Sequence, residues 1–167
     1  MSYLVDIKAI KKVAFTSSNV EDTMIASTLL RIQDVMLRPI LGTTFFQRLL
    51  TGVTDDDLNA DEDALINDYI FPVLVAAVDL RIIKPLTYKI KAKTAGTMRD
   101  EHIMPLTSGE QTRFEDELRA DYDAYKLVLI GHLKDNKDLF PEYKDYECSS
   151  ENVPPEDKST RTNIRFA

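Results

Sequence analysis

Two histidines, one cysteine, a run of carboxylates and two basic stretches are the residues through which this chain could do chemistry. His102 falls in an expected loop and His132 near the end of an expected helix. Neither has a histidine or carboxylate at the spacing a metal site needs. An imidazole close to a helix C-terminus is already favoured by the helix dipole. Cys148 lies among Glu147, Ser149 and Ser150, with no basic neighbour in sequence to generate a thiolate, so it reads as an incidental free thiol. The acidic run from Asp55 to Asp63 has the charge of a calcium loop without its pattern. Counting from Asp55, Ala60 stands where the turn needs glycine and Ile66 where a bidentate glutamate is needed. Carboxylates leading into a helix N-terminus explain the run as a helix-starting loop. A glycine-rich phosphate loop and a dinucleotide fingerprint are both lacking, and no serine, histidine and aspartate can be assembled from the sequence with any specificity. The chain is expected not to be an enzyme and to need no cofactor or metal. An enzyme that uses the acidic loop with a divalent ion remains a third option, which calorimetry with calcium and magnesium would expose.

What is left is chemistry of docking. Lys89, Lys91 and Lys93 alternate with Tyr88, Ile90 and Ala92. A period of two predicts a strand with one basic face. Lysines on an exposed edge discourage unwanted strand pairing, and that reading is preferred. The sharper alternative makes them a docking strip for an acidic partner surface, or for phosphates passing nearby. Near the end of the sequence, Ile164 and Phe166 alternate with Arg165, preceded by Arg161. Alternation of this kind suits strand addition to a partner, with side chains entering successive pockets. Termini ordinarily fray. Here a proline-containing, polar segment without periodicity cannot order itself, so it is expected to take its order from another molecule. Arg161, Ile164, Arg165 and Phe166 are the expected partner-binding residues of such an arm.

These residues must be carried by a scaffold, and the composition bounds it. At 167 residues the chain has the length of one domain plus a tail, and a domain of that size buries a real core without covalent staples. Five glycines are too few for a fold of many tight hairpins. A net charge of −7 repels nucleic acid and anionic membranes unless the charge is segregated. A lone cysteine cannot form an internal disulfide, which argues against an oxidising compartment. The N-terminal residues lack the basic-then-apolar order of a signal peptide. The longest apolar stretch, 69–83, is broken by Pro72, Asp79 and Arg81, short of the ~18 residues of a membrane span. A cytoplasmic site of synthesis follows.

The spacing of apolar residues predicts the elements. Residues 6–12 read as a short helix and 13–16 as extended. Ser17, Ser18 and Asn19 offer caps for a second helix, whose stripe is Ile25, Leu29, Ile32 and Met36. Pro39 is expected to end it and to push Arg38 out of helical geometry. Thr43 or Thr44 then caps a helix carrying Phe45, Phe46, Leu49 and Leu50, with Gly52 as its C-cap. A long central helix is expected over 61–84, apolar on nearly every side, with Pro72 as a kink and Pro85 as its stop. Residues 94–107 read as a loop or β-excursion. Ser108 and Gln111 form a capping-box pattern opening a helix to about residue 134, with Phe114, Leu118, Tyr122, Tyr125, Leu129 and Leu133 along one side. Leu139 to Tyr143 can fold back on that helix end. The fold class is mainly α: a helical bundle with a small β-excursion and an extended C-terminal arm. The domain division is 1–147 for the helical domain and 148–167 for the arm.

The run from Ile25 to Leu50, with Arg31-Ile32-Gln33-Asp34, then Leu37-Arg38-Pro39-Ile40-Leu41-Gly42, then Phe46 and Leu49-Leu50, resembles head–tail connector (adaptor) proteins of tailed bacteriophages. Ile7 to Lys12, Ser17 to Asn19, Leu133 to Asn136 and Phe140 to Tyr143 are similar to the usual entry and exit of that family. The likeness covers most of the chain up to Tyr143. Phe46 stands where tyrosine is more usual, and the lysine alternation does not align. The resemblance implies a helical bundle with a small β-excursion, assembled into a homo-oligomeric ring, commonly of twelve copies, under the portal protein at the capsid vertex. It implies an arm that grips the portal or neighbouring subunits, contacts with further tail or neck proteins, and DNA passing through the lumen without sequence-specific binding. Carboxylates in such a channel would repel the phosphate backbone. The expected role is therefore that of a virion structural protein in the neck. The alternative is a small monomeric helical adaptor or regulator that captures a partner helix.

Overall fold

The computed structural model describes residues 3–14, 20–94 and 108–143, with the backbone alone for 84–94 and Ser108. Five helices account for most of these residues, and no strand is present among them, so the chain is mainly α. Helix α1 spans Ile7–Val13, begun by Asp6, whose carboxylate accepts from the Lys8 N–H at 3.1 Å. Helix α2 runs Asp22–Ile32, passes through a π turn at Gln33–Leu37 and ends with Arg38–Leu41. Helix α3 is Thr43–Asp55. Helix α4 runs Ala60–Ala64, passes through a second π turn at Leu65–Ile70 and continues as Phe71–Thr94. Helix α5 is Ser108–Asp135, followed by a single 3-10 turn at Lys137–Leu139.

The centre of the bundle is α4. It packs most extensively on α5 and also touches α1 and α2. Its buried residues Leu65, Ile70, Val73, Leu74, Ala77, Val78 and Ile82 meet Ile25, Leu29 and Ile32 of α2 and Tyr122, Leu129 and Leu133 of α5 in one hydrophobic core. The C-terminal fold-back is present. Phe140 and Tyr143 are buried, with Phe140 5.5 Å and Tyr143 6.2 Å from the Phe45 ring. A buried aromatic cluster of this kind contributes more than its area alone, by about 0.5–1.5 kcal/mol per pair.

Two of the three prolines inside the helices, Pro39 and Pro72, are accommodated by widened turns. Arg38 stays in helical geometry (φ −55°, ψ −41°) and its N–H reaches Gln33 O, five residues back. The Phe71 N–H likewise reaches Ile66 O. In each case the wide bond sits immediately before a proline, Pro39 or Pro72. A proline ring clashes with the carbonyl four residues earlier and offers it no N–H, and a π turn displaces those carbonyls. The expected break at Pro39 is therefore a widened turn. The extra residue also shifts the stripe of α2: Leu37 is buried and Met36 only half-buried.

Other expectations need correction. The helix does not stop at Pro85, and residues 88–93 are helical, part of α4 to Thr94. The β-excursion is thus absent over 88–94; residues 95–107 lie outside the described residues. Alternation over six residues is a short signal, and Lys, Ala and Leu are good helix formers that extend an existing helix at little cost. The corner before α3 is made by Gly42 (φ +79°, ψ 153°), not by a threonine cap. Gly52 is a buried residue inside α3, and the helix is closed by Asp56 in the left-handed conformation, with the Asp57 N–H donating to Gly52 O at 2.9 Å. A β-carbon at Gly52 would stand 2.5 Å from Leu58 Cδ2, so its absence lets the following loop pack down. The N-cap of α2 is Glu21, without a side-chain cap hydrogen bond, and not Ser17, Ser18 or Asn19; the arm, 148–167, lies outside the described residues.

Candidate functional site

A groove of about 990 Å³ lies between α2, α4 and α5. Its floor is apolar: Ile32, Met36, Leu80 and Tyr122, with Val35 at the rim, 59% exposed. Three exposed arginines stand around it, one from each helix: Arg31, Arg81 and Arg119. None forms an ion pair among the described residues, whereas Arg38 and Arg48 both do. Glu115 and Asp123 also line the groove. An apolar seat is thus ringed by three guanidinium groups, two carboxylates and the hydroxyls of Ser27 and Thr28; guanidinium groups can hydrogen-bond carboxylates bidentately.

A smaller groove lies on the other side of the α4–α5 pair, lined by Val13, Phe71, Pro72, Val75, Leu118 and Tyr125. Val13 and Tyr125 are exposed. Asp79 and Asp121 are its charged members.

The acidic run is consumed by structure. Asn59 and Glu62 form a capping box at the start of α4: the Glu62 N–H donates to Asn59 Oδ1 at 2.7 Å, and the Asn59 N–H to Glu62 Oε2 at 3.0 Å. Arg48 donates from Nε to Glu62 Oε1 at 3.1 Å and from Nη2 to Oε2 at 2.9 Å. Its Nη2 also donates to Asp57 O at 2.7 Å, and Nη1 faces Asp57 Oδ2 at 3.3 Å. Partial desolvation opposes the charge on Arg48. The carboxylates of Glu62 and Asp57 and their hydrogen bonds outweigh it, holding the guanidinium above its ordinary value. Asp57 and Glu62 thus clamp the α3–α4 corner. Among the described residues no cluster of three metal-ligating side chains occurs.

His132 is a packing residue. Its ring stacks on Tyr69 at 3.8 Å and 19°, and Asn136 Nδ2 lies 3.2 Å from its Nδ1 while donating to His132 O at 2.9 Å. The second π turn carries Tyr69 to this position. Of the residues expected to dock, Lys89, Lys91 and Lys93 lie on helical backbone. At 100° per residue, positions 89 and 93 fall one turn apart and 91 across the axis, so a basic strand face does not form. Arg161, Ile164, Arg165 and Phe166, like His102 and Cys148, lie outside the described residues. The arginine groove was not legible in the sequence, because its members come from three helices with no shared spacing. Arg81, which interrupts the longest apolar stretch, is its one visible trace.

The described residues thus form a helical bundle with a groove between α2, α4 and α5. Residues 37–153, well over half of the chain, match the family of unknown function DUF6712, and the chain belongs to that family. No curated protein and no solved structure matches it. Among the described residues no helix is long and apolar enough to cross a membrane.

Proposed function

We propose that this protein is a virion structural protein, a head–tail connector subunit that forms a ring under the portal and joins capsid to tail around the DNA channel. The carrying observation is where the run that resembles the connector family sits. Leu37, Ile40, Leu41, Phe45, Phe46 and Leu49 are all buried around a corner that only Gly42 can turn. The likeness therefore lies in the framework of the bundle, not in its surface decoration. A rigid helical wedge is what a ring subunit requires, and the excess of carboxylates suits a channel through which DNA slides. In this reading the arm, 148–167, docks onto the portal or a neighbour through Arg161, Ile164, Arg165 and Phe166. Lys89, Lys91 and Lys93 serve subunit or lumen contacts from a helix.

Native mass spectrometry of the full chain, alone and with the portal protein of the same phage, tests the ring. A closed multimer, with twelve copies the expected number, supports it; a one-to-one complex rejects it. Removing residues 149–167 should leave the bundle folded, because the described core ends at Tyr143, and should abolish docking. Undiminished docking by the shortened chain would reject the arm.

The groove between α2, α4 and α5 favours a second reading: a monomeric adaptor that captures a partner helix on an apolar floor. The one-to-one complex in the same measurement is its signature.

A further inference from the structure

Arg31, Arg81 and Arg119 concentrate unpaired positive charge, among the described residues, in a chain whose net charge is −7. Free guanidinium groups beside Ile32, Val35, Met36 and Leu80 ask for a ligand that carries both carboxylates and apolar side chains. Nucleic acid fits less well, because the apolar floor offers nothing to a phosphate backbone. This chain itself contains a segment of the complementary kind. Residues 145–157 hold Asp145, Glu147, Glu151, Glu156 and Asp157, interleaved with Tyr146, Val153 and the two prolines. Prolines keep a segment extended and lower the entropy lost on docking.

We propose that the groove of one copy receives the acidic segment 145–157 of a second copy. The inference rests on the ring reading, which requires two unlike patches on each subunit; the groove and the segment are such a pair. Their placement fits a head-to-tail contact. Phe140 and Tyr143 pin the root of the segment on Phe45, beyond the C-terminal end of α5, whereas Glu115 and Arg119 lie in its N-terminal half. From Leu133 back to Arg119 is about 21 Å of helix at about 1.5 Å per residue.

Sedimentation velocity on the full-length chain tests this with two charge-reversed variants. One carries Arg31→Glu, Arg81→Glu and Arg119→Glu; the other carries Glu151→Lys, Glu156→Lys and Asp157→Lys. The three arginines are exposed, so their reversal leaves the core intact, which circular dichroism checks. The native chain is expected to self-associate and to weaken in roughly 0.5 M salt, where screening is short-ranged. Each variant alone should associate about tenfold or more weakly. An equimolar mixture should recover, because each reversed patch then meets its reversed complement. Association untouched by either reversal overturns the inference and leaves the ring reading standing. Loss without recovery on mixing overturns it as well, because the two reversed patches then do not meet each other. A native chain that stays monomeric at every concentration removes the second copy as occupant, while the ring on the portal is judged separately by mass spectrometry. Binding of a single-stranded oligonucleotide that the arginine reversals abolish would hand the groove to phosphates and overturn the inference.

Discussion

Single residues decide the geometry of this bundle where backbone or polar groups have one acceptable solution. Gly42 turns the corner between α2 and α3 at φ +79°, ψ 153°, a region essentially closed to residues with a β-carbon. A β-carbon there would meet nothing within 4 Å, so Gly42→Ala isolates backbone strain from crowding. A loss of about 1–3 kcal/mol in urea unfolding is expected; an unchanged midpoint would mean that the corner relaxes. Gln33 is buried, and its Oε1 accepts from the Leu4 N–H at 2.9 Å. Gln33→Leu keeps the bulk and orphans that donor, at a cost of about 1–3 kcal/mol. The same measurement reads it, and hydrogen exchange at Leu4 should accelerate. The Arg48 clamp ranks differently from its neighbours by burial. Glu62, with 6% side-chain exposure, loses its counter-charge if Arg48 is replaced, whereas Asp57 is 81% exposed. Arg48→Met should therefore lower the thermal midpoint more than Asp57→Asn.

At the level of elements, the two π turns show what sequence can and cannot say. The short first helix, the stripe Ile25, Leu29, Ile32 and the encircled apolar run of α4 were legible, because apolar spacing reports directly on local structure. A proline marks a place where regular α-helix fails, but not how it fails. The outcome depends on whether packing rewards continuation. At Pro39 it does, since Leu37, Ile40 and Leu41 are all buried only if the helix continues with one extra residue. Replacing a mid-helix proline ordinarily restores about 3 kcal/mol. Pro39→Ala should return well under half of that, because the π turn already relieves the clash and the core fixes the register. A gain of the full amount, with loss of the wide turn by chemical shift, would show that proline alone imposes the turn. The lysine alternation failed for a related reason: period two over six residues competes with the momentum of a long helix and loses.

For the whole molecule, the fold-back at Phe140 and Tyr143 closes the core, and everything that speaks of function lies outside or across that closure. The mainly α class was legible from length, glycine scarcity and periodicity. The groove was not, because three arginines distant in sequence converge only after the bundle forms. Phe140 fixes the point from which residues 144–167 depart. Phe140→Ala should cost about 3–5 kcal/mol and free that root from Phe45, so assembly should suffer along with stability. A second measurement separates the channel from the arm. If DNA passes through a lumen lined by carboxylates, the assembled protein should show no measurable anisotropy change with labelled duplex at roughly 0.15 M salt, since phosphate binding requires clustered cations. The portal complex is the sample to use, because it is the assembly in which the proposed lumen would meet DNA. Tight binding that falls steeply with salt would place basic surface against the DNA, and the channel would then grip its cargo where repulsion is needed to let it slide.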